Sequence, residues 1–210
     1  MNGAHLPAGL SMTPVIAILR GCPHRYAVAI AGAVVGAGVT VIEVTLDSER
    51  ALDQIAAIQA EFPDAEVGVG TVRRVEELAP AIEAGATFVV SPIVDPEVIR
   101  SAVEQGVAVI PGAATPTEIE MAVRHGATAV KVFPIAQLGG PGYIRAIGSP
   151  LGFPQLIPTG GVHLGSIEDY LSAGAVAVGL GGALFPSKAL REGDTATVER
   201  LAKEIVEAQR

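Results

Sequence analysis

Residues 124–134 read RHGATAVKVFP. Two basic side chains lead to Gly126, small residues follow, and then comes a β-branched run. A glycine at a helix end takes the left-handed conformation that stops the helix, and the apolar run after it reads as a strand. The same pattern recurs as GAGVTVIEV from Gly36, EAGATFVVS from Glu83, EQGVAVIPG from Glu104 and SAGAVAVGL from Ser172. Runs that are apolar on both faces are those of parallel strands covered by helices.

Working outward, the pattern predicts eight strands near 15–19, 40–46, 66–70, 88–91, 108–111, 129–133, 155–159 and 175–180. Amphipathic stretches separate them, such as ALDQIAAIQAEF (51–62) and DPEVIRSAVEQG (95–106). Eight strand–helix units in 210 residues predict an α/β protein built as a single (β/α)8 TIM barrel. That domain would span residues 1–210, with 1–12 as a loose lead-in and TATVERLAKEIVEAQR (195–210) as a closing helix. A doubly wound open sheet is the alternative, although no GxGxxG follows the first strand.

Composition narrows the function classes. A net charge of −8 argues against nucleic acid or an anionic membrane surface as partner. The single cysteine, Cys22, excludes an internal disulfide framework and fits a cytoplasmic location. No transmembrane run or signal peptide is visible. His5, His24, His125 and His163 lack metal-ligand spacing, so no metal and no cofactor is expected.

In a barrel of this kind the chemistry gathers at the C-terminal ends of the strands. Those ends carry Arg20, Glu43 with Thr45, Thr71, Ser91, Thr115, Lys131 and Thr159. Several are equally well read as caps or turns. Thr115, before Pro116 and Glu118, has the form of a helix N-cap. Lys131 and Glu43 differ because they lie inside apolar strands, where an unpaired charge is costly. Alternation puts Lys131 on the face of Ala129 and Phe133, and Glu43 on the face of Val41 and Thr45. If both faces point inward, the lysine reaches the carboxylate. The two then form either a structural ion pair or an amine nucleophile with a proton shuttle. An apolar interior favours the neutral, nucleophilic amine by desolvation. Glu43 is expected to act through a water. A second constellation is PTGGV (158–162) and GLGGAL (179–184), two Gly-Gly loops after the last two strands, where such barrels hold phosphate.

Taken in order, ILRG (18–21), IEVTL (42–46), GVGTV (68–72), VVSP (89–92), IPGAATPTE (110–118), VKVFP (130–134), PTGGV and GLGGAL resemble the 2-keto-3-deoxy-6-phosphogluconate (KDPG) and 4-hydroxy-2-oxoglutarate (KHG) aldolases. The resemblance implies a metal-free class I aldolase, assembled as a homotrimer, that releases pyruvate and glyceraldehyde 3-phosphate from a phosphorylated 2-keto acid. It implies Lys131 as the Schiff-base lysine and Glu43 as the proton shuttle. Thr71 would hold the carboxylate of the pyruvate half and Phe133 would pack beside the imine. Pro92 and Thr159 would line the substrate site, and Gly160, Gly161, Gly181 and Gly182 the phosphate. Two positions depart from the family pattern. Asp47 stands where many members have an arginine, so Arg20 is expected to supply the cation for the carboxylate. Ala183 stands where a serine often follows the glycines. The C4 epimer and unphosphorylated 4-hydroxy-2-oxoglutarate remain alternative substrates. A phosphosugar isomerase or epimerase, and a phospholigand-binding barrel without catalysis, are the other readings.

Overall fold

A computed structural model describes residues 4–209. Nine short parallel strands alternate with ten helices among these residues. The first half runs β1 (Val15–Leu19), α1 (His24–Ala37), β2 (Val41–Thr45), α2 (Ala51–Glu61), β3 (Glu66–Gly70), α3 (Leu78–Glu83), β4 (Phe88–Val90) and α4 (Pro96–Glu104). The second half runs β5 (Ala108–Ile110), β6 (Gly112–Ala113), α5 (Pro116–Arg124), β7 (Val130–Val132), α6 (Ile135–Leu138), α7 (Pro141–Gly148), β8 (Leu156–Pro158), α8 (Ile167–Ser172), β9 (Val178–Leu180), α9 (Ser187–Glu192) and α10 (Thr195–Ala208). The glycines of the repeated pattern end their helices as expected, with φ of 105° at Gly38, 102° at Gly85, 71° at Gly106, 96° at Gly126 and 104° at Gly174. Thr115 caps α5 through a reciprocal bond pair with Glu118.

The strands form a six-stranded sheet, β5-β4-β3-β2-β1-β9, and a three-stranded sheet, β6-β7-β8. The expected single barrel is met as a parallel α/β fold in two sheets. Two local features account for the division. The predicted strand at 108–111 is interrupted because Pro111 has no N–H to give to a ladder. Between β8 and β9 the pairing reduces to a bridge, Thr159 with Gly179, and a bond from the Val176 N–H to the Leu156 carbonyl at 3.0 Å.

Alternation along each strand sorts side chains into two apolar layers. Val15, Ala17 and Leu19 of β1 pack outward under the helices. Ile16 and Ile18 pack inward with Leu10, Val41, Phe88, Val90, Ile110, Ala129 and Ile157. Val41 and Ala129 each precede a charged residue by two positions, so Glu43 and Lys131 stand on the inner face, directly above this layer.

The lead-in expected to be loose is anchored over its described part. Residues Ala8–Ser11 form a 3-10 turn. The Glu66 carboxylate accepts the N–H groups of Ala8 (2.9 Å) and Gly9 (2.7 Å), and Leu10 is 8% exposed within the inner layer. Burial of Leu10 and a charge-assisted cap outweigh the entropy of a free end. The first three residues of that lead-in lie outside the described residues.

Candidate active site

Glu43, at the middle of β2, and Lys131, at the middle of β7, meet inside the sheets. Lys131 Nζ lies 3.6 Å from Glu43 Oε1, with side-chain exposures of 7% and 1%. That spacing exceeds a hydrogen bond. Glu43 Oε1 has no hydrogen-bond partner. The carboxylate is thus buried with one oxygen committed only to the lysine, a costly arrangement to maintain without use.

Room for the carboxylate comes from β3. A Cβ on Gly70 would lie 2.0 Å from Glu43 Oε1 and 2.6 Å from Glu43 Cδ. Gly70 is therefore required by its neighbour's side chain.

Lys131 opens onto a cavity of about 450 Å³ at the C-terminal ends of the strands. The Phe133 ring lies 5.7 Å from the ammonium, within cation–π range. The residues expected to bind substrate all line this cavity, Arg20, Thr71, Pro92, Phe133 and Thr159 among them. Gly160, Gly161, Gly181 and Gly182 line it as well. Gly160 and Gly161 have φ of 88° and 84°, and a Cβ on Gly161 would meet the Ala136 Cβ at 2.4 Å, so the turn and the close approach of α6 both demand glycine there. Several wall residues carried no sequence signal of their own, Leu190 of α9 among them. Val162 and Phe185 were inferable only as neighbours of the glycine loops, and Ser187 opens α9.

Arg20 is not a free cation. Its Nη1 pairs with the Asp47 carboxylate, and its Nη2 donates to Thr71 Oγ1 at 3.1 Å. Thr71 is held at φ 64°, an uncommon conformation for a threonine and one often found at functional sites. Cys22, two residues beyond Arg20, is 1% exposed, and burial pushes its thiol up to about 11. Among the described residues no three or more His, Cys, Asp or Glu side chains are grouped to hold a metal. Their helices include none long and apolar enough to cross a membrane.

Comparison with known proteins agrees with this geometry. The family model "KDPG and KHG aldolase" matches residues 7–201. The KHG/KDPG aldolase of Escherichia coli K12 is 37% identical over 94% of this chain and 93% of its own. The solved structure of native KDPGal superposes with a TM-score of 0.87 at 35% identity, covering 94% of both chains. The KDPG aldolase of Legionella pneumophila, solved with pyruvate captured as a covalent carbinolamine, has a TM-score of 0.87 at 28% identity, covering 94% of this chain and 96% of that one. A buried lysine–glutamate pair beneath a glycine-lined cavity, a family model spanning most of the chain and relatives above one-third identity lead to one conclusion: the chain belongs to the KDPG and KHG aldolase family.

Proposed function

We propose that this protein is a class I aldolase that cleaves 2-keto-3-deoxy-6-phosphogluconate to pyruvate and glyceraldehyde 3-phosphate through an imine on Lys131. The observation that carries the reading is the buried Lys131–Glu43 pair, 3.6 Å apart, with the amine facing the 450 Å³ cavity.

The amine of Lys131, in its neutral form, adds to the C2 carbonyl to give a carbinolamine. Glu43 delivers the proton with which the C2 oxygen leaves as water, and the iminium forms. The C4 hydroxyl then gives its proton to the Glu43 carboxylate, the C3–C4 bond breaks, and its electron pair moves into the iminium to leave an enamine. The C4 fragment departs as the aldehyde. Protonation of the enamine at C3, from Glu43, and hydrolysis return pyruvate and the free lysine. Glu43 is the one carboxylate in contact with Lys131 Nζ among the described residues, which supports giving it each of these proton transfers.

The wall of the cavity supports the remaining assignments. Arg20 and Thr71 hold the substrate carboxylate. Pro92 and Phe133 pack against the pyruvate half, with Thr159 beside them. The backbone N–H groups around Gly160, Gly161, Gly181 and Gly182 take the phosphate, so phosphorylated keto acids are the substrate class. The two seams support a closed (β/α)8 barrel, one through the continuous chain at Pro111 and one through the Thr159–Gly179 bridge. Exposed Met121, Val123 and Phe153 support burial in an oligomer, taken as a homotrimer by family resemblance. The buried free thiol of Cys22 supports a cytoplasmic location.

Borohydride reduction in the presence of pyruvate tests the reading. A pyruvate-derived mass on the Lys131 peptide is expected, together with loss of cleavage in Lys131→Ala. An unmodified Lys131 in an enzyme that still turns over would refute the imine and favour an isomerase or epimerase.

A further inference from the structure

The segment from the end of β2 into α2 grips the segment from β1 into α1. Ser48 Oγ accepts the Gly21 N–H at 2.9 Å, Glu49 accepts the His24 N–H at 3.0 Å, and the Gln54 amide donates to the Cys22 carbonyl at 2.9 Å. Asp47 adds the one bond of this set that reaches a side chain of the cavity, to Arg20 Nη1. Thr71, at the end of β3, takes Nη2. The guanidinium is thereby fixed at two of its three nitrogens by residues from two neighbouring strand ends.

We infer that Asp47 is a positioning residue of this site, holding the Arg20 guanidinium in the orientation that receives the carboxylate of the 2-keto acid. This rests on the aldolase reading and on Arg20 as its carboxylate ligand. A free arginine loses side-chain freedom when it binds an anion, whereas one already held by two partners has lost that freedom on folding. The planar fork still offers its Nε–H and the second N–H of each amino group to a carboxylate. Asp47 also places a negative charge near an anionic ligand. With side-chain exposures of 50% for Arg20 and 49% for Asp47, water screens that repulsion, while the orientation of the fork is not screened. Positioning therefore outweighs repulsion. The residue that replaces an arginine in the sequence pattern thus acts on substrate through the arginine of the neighbouring strand.

The experiment compares Asp47→Ala, Asp47→Asn, Arg20→Ala and the Asp47→Ala/Arg20→Ala double variant. The readouts are kcat and KM for cleavage and the pyruvate concentration that half-saturates borohydride trapping of Lys131. Asp47→Ala should raise KM and the half-saturating pyruvate about tenfold, with kcat little changed. Asp47→Asn keeps an acceptor for Nη1 without the charge and should restore most of the affinity. The double variant should match Arg20→Ala alone, because Asp47 acts only through Arg20. An unchanged or lowered half-saturation in Asp47→Ala would overturn the inference, as would losses that add in the double variant. Absence of any pyruvate adduct on the wild-type enzyme would overturn the aldolase reading itself, and this inference with it, before a variant is made.

Discussion

Gly70→Ala puts one methyl group into the most crowded point of the site. The new Cβ would stand 2.0 Å from Glu43 Oε1, against an ordinary contact of at least 3.4 Å, so the carboxylate must shift by about 1.4 Å. Glu43 is 1% exposed and cannot swing into solvent. Overpacking of this kind costs about 1–3 kcal/mol, which lowers the melting temperature by roughly 2–4 °C per kcal/mol in a chain of this size. The catalytic cost should be larger, since a displacement of about 1 Å at a reacting group can cost ~10²-fold in rate. Gly68→Ala provides the control. Its Cβ would meet the Phe88 ring at 2.4 Å, one step lower in the same strand, with ring atoms of Phe88 as its nearest neighbours. Both variants should lose similar stability by thermal unfolding. In a coupled assay of pyruvate release, only Gly70→Ala should lose about a hundredfold in kcat/KM. Equal kcat/KM in the two variants would refute the claim that the position of Glu43 governs the reaction.

Two further outcomes follow from burial. Removing either half of the Lys131–Glu43 pair should destabilise the fold, but unequally. Lys131→Met strands a carboxylate that is 1% exposed and should cost about 3–5 kcal/mol, whereas Glu43→Gln leaves an ammonium that faces the cavity and should cost about 1–3 kcal/mol. Denaturant unfolding of both variants checks the order, and the reverse order would show that the cavity does not solvate Lys131. The Cys22 thiol, pushed from 9.0 up to about 11, holds about a hundredfold less thiolate near pH 8 than an exposed cysteine. Native protein should therefore resist iodoacetamide at pH 8 and react readily in urea, and rapid labelling of the native protein would contradict this burial.

Local signals made much of this fold legible in the sequence. The helix-ending glycines and β-branched runs are consecutive in the chain, so eight strand positions and the helices between them could be read directly. Period-two alternation put Lys131 on the face of Ala129 and Glu43 on the face of Val41, and the fold turns both faces inward to bring the pair to 3.6 Å. Features set by distant residues were less visible. The strand at 108–111 reads as continuous because its β-branched content outweighs one proline, while the ladder depends on the N–H that Pro111 lacks. The first dozen residues have no periodicity, and their anchor, Glu66, lies in another strand. Arg20 stood out as a cation at a strand end, but its partner is 27 residues away in a turn, where an aspartate ordinarily reads as a cap. Ser187 lines the cavity because α9 begins there, which nothing in the surrounding PSKAL announces.

The anchored N-terminal turn bears on the timing of the reaction. Leu10 and the inner layer of Ile16, Val41, Phe88, Ala129 and Ile157 lie beneath the Lys131–Glu43 pair and leave it no exit downward. In the proposed mechanism a molecule tethered to Lys131 stands above this floor, with its far half toward the open side of the cavity. The fragment that is not tethered must leave first, and the tethered three-carbon unit can depart only afterwards. With the proposed imine on Lys131, floor and tether together would impose a fixed sequence of departures, aldehyde before keto acid. In the synthetic direction the same sequence runs backwards, with the keto acid loading before the aldehyde can be captured.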